Sequence, residues 1–359
     1  MSPLFIPGPV DIHPDVLAAL SQPMMYHRGA EFETLYHQVE EKARPLFATK
    51  RHTYITSFSG TGTMELAMRS FVEKDVLICV SGGFSDRWYD IARTNGKQAI
   101  LLRVEPGKPI LPEFIEEHLR KQFFEAIAIV HNETSSGVEN PIADIAATIH
   151  AQSPDTLILL DCVSSIGGAP ILFDEWRLDY AFGSINKCLA VPPGLAISVA
   201  SERALAKAEQ VTNRGWFLDV LRLEKHHTLN TVPSTPAVSL FYALSVQLDR
   251  IQQEGLHNRF HRHQQMAERI AAWGEQNNMP PIADIPYRSK TMTTLKNGHH
   301  LDFLDLRRYL MKHNLEIANG YDELKDVTFR IANMGELQMT DVDHLLRILE
   351  TYIADKRKG

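Results

Sequence analysis

Between Tyr54 and Ala200 short apolar runs alternate with stretches of helical spacing, a rhythm that few architectures accept. The runs cover 54–58, 76–80, 99–104, 126–131 and 157–163, followed by DYAFGSI and LAISVA between Asp179 and Ala200. Helical patterns separate the first five, near 62–72, 86–94, 113–121 and 143–152. Strands that are apolar along their whole length are covered on both faces, which is the condition of a mainly parallel sheet sandwiched by helices. The expected fold is α/β, with a large domain built on a seven-stranded sheet.

At 359 residues the chain exceeds what one growing core accommodates, so a second, smaller domain is expected. Ahead of the alternation, Phe32, Leu35, Val39, Ala43 and Leu46 recur at three- and four-residue steps and predict an amphipathic helix over 31–47. A long helix over 239–254 stops at Gly255. From about His257 the texture changes to long helix, strand KTMTTLKN, helix FLDLRRYLMKH, strand VTFRIAN and terminal helix TDVDHLLRILETYIAD, a small α+β domain. The expected division is 1–255 for the large domain, including the N-terminal segment 1–20, and 256–359 for the small one.

Lysine and arginine total 37 against 44 acids, a net charge of -7, and the one basic block is the terminal Lys356, Arg357 and Lys358, read as solvated. That balance argues against a nucleic-acid partner. Cys79, Cys162 and Cys188 lack metal spacing and sit in or beside apolar runs, as buried thiols of a reducing compartment do. No apolar run approaches the roughly 18 residues of a membrane span, and MSPLFIPGPVDIHPDV lacks the basic-then-apolar order of a secretory leader. A cytoplasmic location without membrane contact is expected. His257, His261 and His263 invite a metal reading, but three ligands on one exposed helix do not close a zinc site. They are read as a solvated face, as are His226–His227 and His299–His300, and no metal is expected.

In such a sheet ligands bind at the carboxyl ends of the strands, and five ends carry candidate chemistry. Ser59-Gly60-Thr61-Gly62-Thr63 stands between a strand and a helix, where glycines admit an anion to the backbone and the helix start supplies N–H donors. Taken alone it equally suits an ordinary capped turn. Asp161 ends the run LILL, and a carboxylate there needs a cation or several donors. A protonated pyridinium nitrogen would serve; capping the next turn is the plain alternative. Lys187 lies 26 positions later, between an apolar strand and a PPG turn, where a shielded amine loses its proton more easily and becomes nucleophilic toward an aldehyde. HNETSSGVENP offers hydroxyls such as Thr134 and a carboxylate, and Phe84 in SGGFSD offers a ring to stack on, though each also suits loop or core. The convergence of five ends is what a cofactor site requires.

At these residues the chain resembles the class V group of fold-type I enzymes that use pyridoxal 5'-phosphate (PLP), particularly the alanine or serine:glyoxylate and the 2-aminoethylphosphonate:pyruvate aminotransferases. The likeness runs from Pro7-Gly8-Pro9 through SGTGTMELA, GGFSDRW, HNETSSGVENPI, DCVSSIGGAPI and NKCLAVPPGLA to FRIANMG, nearly the whole chain. The resemblance implies that Lys187 forms the Schiff base with PLP and shuttles the proton, and that Asp161 partners the pyridinium nitrogen. It implies a phosphate cradle of Ser59, Gly60 and Thr61, Asn186 beside the lysine, Phe84 and Val163 on the two faces of the ring, and Thr134 bonding the cofactor. Arg330 would clamp the substrate's carboxylate or phosphonate, with Pro7 and Gly8 at the substrate end. It further implies a homodimer in which Ser234 or Thr235 of one subunit reaches the other's phosphate site.

The reading is a PLP-dependent transaminase with a small amino donor and a 2-oxo acid as its small-molecule partners. Lyase, epimerase or desulfurase chemistry and a non-catalytic member of the fold are the competing readings. A desulfurase needs a mobile cysteine, and all three cysteines lie in or beside expected strands. Met25-Tyr26-His27-Arg28 resembles the glyoxylate enzymes, whereas NKC and FRIANMG resemble the phosphonate enzymes.

Overall fold

The structure, a computed structural model, describes residues 3–358; residues 1, 2 and 359 lie outside the description, as do the side chains of Arg357 and Lys358. The chain begins with β1 (Leu4–Phe5), α1 (Pro14–Ala19) and α2 (Ala30–Ala43), the last continued by a short 3-10 turn (Arg44–Phe47). The alternation follows as β2 (Tyr54–Thr56), α3 (Gly60–Phe71), β3 (Asp75–Val80), α4 (Gly83–Thr94), β4 (Gln98–Arg103) and α5 (Pro112–Leu119). It continues with β5 (Ala126–Val130), a two-stranded ribbon of β6 (Asn132–Glu133) and β7 (Val138–Glu139), α6 (Ile142–Gln152), β8 (Leu157–Asp161), β9 (Tyr180–Ser184) and β10 (Ala196–Ala200). The helices α7 (Glu202–Gln210), α8 (Val220–His227), α9 (Val238–Glu254) and α10 (Leu256–Gln276) come next. Last are β11 (Met292–Lys296), α11 (Phe303–Lys312), β12 (Glu316–Asn319), β13 (Thr328–Ala332) and α12 (Met339–Lys358).

The seven-stranded sheet has the order β2-β10-β9-β8-β5-β3-β4, and β10 alone runs antiparallel to its neighbours. Alternate residues of each strand enter different cores. Leu77, Ile127, Ile129, Ile158, Leu160 and Ile197 pack with α2, α5, α6 and α9. Ile78, Ala126, Ala128, Leu159 and Phe182 pack on the other side with α3, α4, α7 and α8. Each such aliphatic side chain contributes about 1.5–3 kcal/mol of hydrophobic stabilisation, which is why the runs are apolar without alternation.

The smaller sheet has the order β1-β12-β13-β11 and its own core of Met266, Ile270, Trp273, Leu295, Phe329 and Ile331 against α10, α11 and α12. The N-terminal segment, expected with the large domain, divides. Leu4–Phe5 pairs in parallel with β12 and Phe5 enters the smaller core, whereas Val16 and Ala19 of α1 enter the core beneath α2 and α9. Gly255, at φ +80°, both ends α9 and begins α10.

The three cysteines are free and buried. Among the described residues no helix is long and apolar enough to cross a membrane, and no group of three or more His, Cys, Asp or Glu could hold a metal ion. The histidines require correction. His257 and His261 are exposed, but His263 is fully buried, its Nδ1 2.7 Å from Arg259 O, because α10 turns 259, 263, 266 and 270 together toward the core. His227 is half-buried and stacks on His52 with centroids 3.8 Å apart, and His299 Nε2 lies 2.7 Å from Asn277 O. Lys356, read as solvated, pairs with Asp305 at 2.7 Å.

One buried cation joins the two cores. Arg259 of α10 donates from Nε to Gly167 O at 3.1 Å and from Nη2 to Cys188 O at 2.7 Å, and pairs with Glu254 at 2.6 Å and Glu336 at 3.2 Å. Burial alone would raise the Glu336 carboxyl, but the Arg259 charge and hydrogen bonds from Gln247 and Arg250 bring it down to about 2. Removing one partner of such a network leaves buried charge uncompensated. Arg259→Met is expected to lower the unfolding free energy by about 3–5 kcal/mol in urea titration, and a loss below about 1 kcal/mol would contradict the joint's role.

Candidate active site

The loops at the carboxyl ends of β2, β3, β5, β8 and β9 converge on a cavity of about 210 Å³. Ser59, Gly60, Thr61, Phe84, Asp161, Val163, Asn186 and Lys187 line it together. Ser59 caps α3, its Oγ accepting from Gly62 N at 3.2 Å, so the first turn of that helix opens onto the cavity. Gly60 is needed here because a Cβ would stand 2.6 Å from Val163 Cγ2. One part of the cavity wall thus comes from the turn after β8 and the start of α3 packed against each other.

Asp161 and Lys187 are two ionisable groups of the cavity wall that burial displaces from their ordinary behaviour. β8 and β9 run parallel with Asp161 beside Phe182, and Lys187 follows the end of β9. Burial pushes the Asp161 carboxyl up to about 7, opposed by the hydrogen bond from Val163 N at 2.7 Å and reinforced by Glu133; Lys187 and Arg87 work to lower it. Burial pulls Lys187 down to about 8 against the opposing pull of Asp161. Lys187 Nζ donates to Pro7 O, which brings the N-terminal segment onto the reactive amine.

Phe84 is held from two sides. The buried Glu133 accepts from Ser85 N and Ser85 Oγ at 2.8 Å, Ser135 N at 3.0 Å, Ser135 Oγ at 2.6 Å and Phe84 N at 3.3 Å, fixing the start of α4. From the smaller sheet Tyr321 stacks on Phe84 with centroids 4.9 Å apart and planes at 23°. Gly82 and Gly83 allow both approaches, since a Cβ would stand 2.1 Å from Ser135 Oγ at the first and 2.6 Å from the Tyr321 ring at the second.

Arg330, on β13, is buried beside this cavity without lining it. Its Nε donates to Asn319 O at 2.7 Å and its Nη1 to Thr134 O at 3.4 Å, with Cζ 5.4 Å from the Tyr321 ring centroid. Thr134 also stands back from the cavity, and its Oγ1 is buried without a partner. Gly8, at φ +101°, lies against Asn186, where a Cβ would be 3.0 Å from the carbonyl oxygen. Ser234 and Thr235 do not line their own chain's cavity, and Arg28 is exposed outside it.

Arg87, Asn132, Glu133 and Tyr321 are neighbours that the sequence reading gave no individual role. Arg87 was open to it, three residues after Phe84 and so on the same helix face. Asn132 lines the cavity with a buried Oδ1 that has no partner. The residues fit PLP: a helix start for a phosphate, a ring and a valine for two faces, a buried acid for a pyridinium, a desolvated amine for an aldehyde, and two orphaned polar atoms beside them.

Comparison with known proteins agrees. The family model for aminotransferase class-V matches residues 15–332. An uncharacterized aminotransferase of Methanocaldococcus jannaschii is 35% identical over 92% of this chain and 87% of its own length. The serine–glyoxylate aminotransferase of Methylorubrum extorquens is 31% identical over 93% of this chain and 86% of its own. The crystal structure of an alanine–glyoxylate aminotransferase from Nostoc sp. superposes with a TM-score of 0.91 at 31% identity, covering 97% of this chain and 94% of that one.

The displaced acid has a consequence for stability. Asp161 ionises near 3.8 in the unfolded chain and near 7 in the folded one, so its protonated form favours the folded state below about pH 4, and that contribution is lost as pH rises through about 7. Asn keeps a neutral group of the same shape. Cofactor-free Asp161→Asn is therefore expected to unfold like wild type at pH 4 and to be more stable at pH 8 by a few kcal/mol, at about 1.4 kcal/mol per pKa unit. Equal or lower stability than wild type at pH 8 would contradict the burial account.

Proposed function

The chain belongs to the class V aminotransferase family and is a PLP-dependent enzyme, and on that premise we propose that it moves an amino group from alanine, serine or 2-aminoethylphosphonate to pyruvate or glyoxylate in a ping-pong cycle. The observation that carries the reading is a desolvated amine, Lys187, brought down to about 8, lining one cavity with a buried acid, Asp161, and with the fixed fork of Arg330 beside it. PLP, when bound, supplies the electron sink for the substrate's α-carbon.

Lys187 in this reading would hold the cofactor at its aldehyde and would move the proton at the substrate's α-carbon, a task suited to an amine brought down to about 8 by desolvation. The Asp161 carboxylate would hold the proton on the ring nitrogen, a pairing that would offset the burial that displaces the acid. Phe84 and Val163 would stand on the two faces of the ring and Ser59, Gly60 and Thr61 would receive the phosphate, with Asn186 beside the lysine; Thr134, whose buried Oγ1 has no partner, would bond the cofactor. Arg330 binds the substrate's anionic end. Its Nε and one Nη1 hydrogen are taken by backbone carbonyls, which fixes the plane and leaves hydrogens for one planar carboxylate or phosphonate. Pro7 and Gly8 close the substrate side.

Ser234 or Thr235 acts in the partner subunit's phosphate site of a cytoplasmic homodimer. Desulfurase chemistry is disfavoured because the three cysteines are buried, and burial raises all three thiols, Cys188 to about 11.

One fork favours small, singly anionic donors over aspartate and glutamate. The expected ranking, measured as the second-order rate at which each donor bleaches the visible cofactor absorbance, puts alanine, serine or 2-aminoethylphosphonate well ahead. Arg330→Lys should lower every rate by roughly 10- to 100-fold, the equivalent of about 1.5–3 kcal/mol for a charged hydrogen bond, with PLP binding kept. Glutamate outpacing every small donor, or unchanged rates in the variant, would overturn the proposal.

A further inference from the structure

We propose that Arg87 is the residue that neutralises the cofactor's phosphate from within the same chain, a role resting on the PLP reading above. Helix α4 carries Phe84 and Arg87 one turn apart, so ring and guanidinium project from one face, with Arg87 Cζ 5.3 Å from the Phe84 centroid. Arg87 Nη1 donates to Thr61 Oγ1 at 3.2 Å, which sets the guanidinium beside the first turn of α3. Both residues line the cavity.

Charge accounting singles Arg87 out. A phosphate monoester carries about -1.5 to -2 at neutral pH, whereas a helix start offers roughly half a positive charge. Lys187 is committed to the aldehyde in that reading, and Arg330 does not line the cavity and has two backbone carbonyls bonded. Among the described residues Arg87 has no ion pair, yet its charge reaches into the cavity far enough to act on both Asp161 and Lys187. An unpaired arginine at the mouth of an anion cradle is the geometry that bidentate phosphate recognition uses. Thr61 completes the arrangement: its oxygen accepts from Arg87, so its own hydrogen is free to donate to the same anion.

The test compares PLP with pyridoxal, which carries the same aldehyde and ring but no phosphate, binding to cofactor-stripped protein followed by visible absorbance. Arg87→Met keeps the apolar stem over Phe84 and removes the charge. It should weaken PLP by on the order of 10- to 100-fold and leave pyridoxal within about twofold of wild type. Arg87→Lys keeps a charge but not the fork and should fall between wild type and Arg87→Met for PLP alone. Equal weakening of both ligands would mean that Arg87 only positions Phe84, and unweakened PLP binding would mean that the phosphate is held without it. Either result overturns the proposal. Failure of wild type itself to bind PLP would instead remove the cofactor reading on which it stands.

Discussion

Taking an acid and an amine out of water at the ends of two adjacent parallel strands is the constraint around which this protein is arranged. Neither Asp161 nor Lys187 is stable where it sits by its own solvation, as the displacement of both toward neutrality shows. The parallel pairing of β8 with β9 fixes their relative positions, and the surrounding hydrogen bonds stop the loops that carry them from relaxing outward. Val163 N holds the Asp161 carboxylate, Pro7 O holds Lys187, and the buried Arg259 holds Cys188 O one residue beyond it. Destabilisation at the site is thus offset by rigid contacts around it, the usual relation between a functional site and the scaffold that carries it.

Those contacts come from both cores. The smaller sheet contributes Tyr321 against Phe84 and Arg330 against Thr134 O, and α10 contributes Arg259. The N-terminal segment adds β1 to the smaller sheet and then runs past Lys187 before α1 docks on the larger core. Phe84, Lys187 and Arg330 are therefore positioned by elements that belong to different cores but share contacts.

Much of this was legible in the sequence because six of the seven strands are buried almost throughout, the exception being the edge strand β4, and their runs are largely apolar. The strand-end residues Asp161, Lys187, Phe84 and the Ser59 cradle were readable for the same reason: each follows directly on such a run. β1 and β12 were not, being short and carrying no run of their own; β12 is set by its pairing with β13 and β1 by its pairing with β12, not by pattern. His263 was misread because its neighbours His257 and His261 are exposed, although the spacing from Arg259 through Met266 to Ile270 marks a buried stripe. Glu133 and Tyr321 matter through partners distant in sequence, which no local pattern encodes. Ser234 and Thr235, expected to act across a dimer, do not line their own chain's cavity.

The most direct test of the central claim is chemical. Protein loaded with PLP, reduced with borohydride and digested, should carry a pyridoxyl group on the single peptide containing Lys187, and Asp161→Asn should bind and be labelled at the same lysine while losing turnover. Label on any other lysine, or none on wild type after the visible band has formed, would contradict the account.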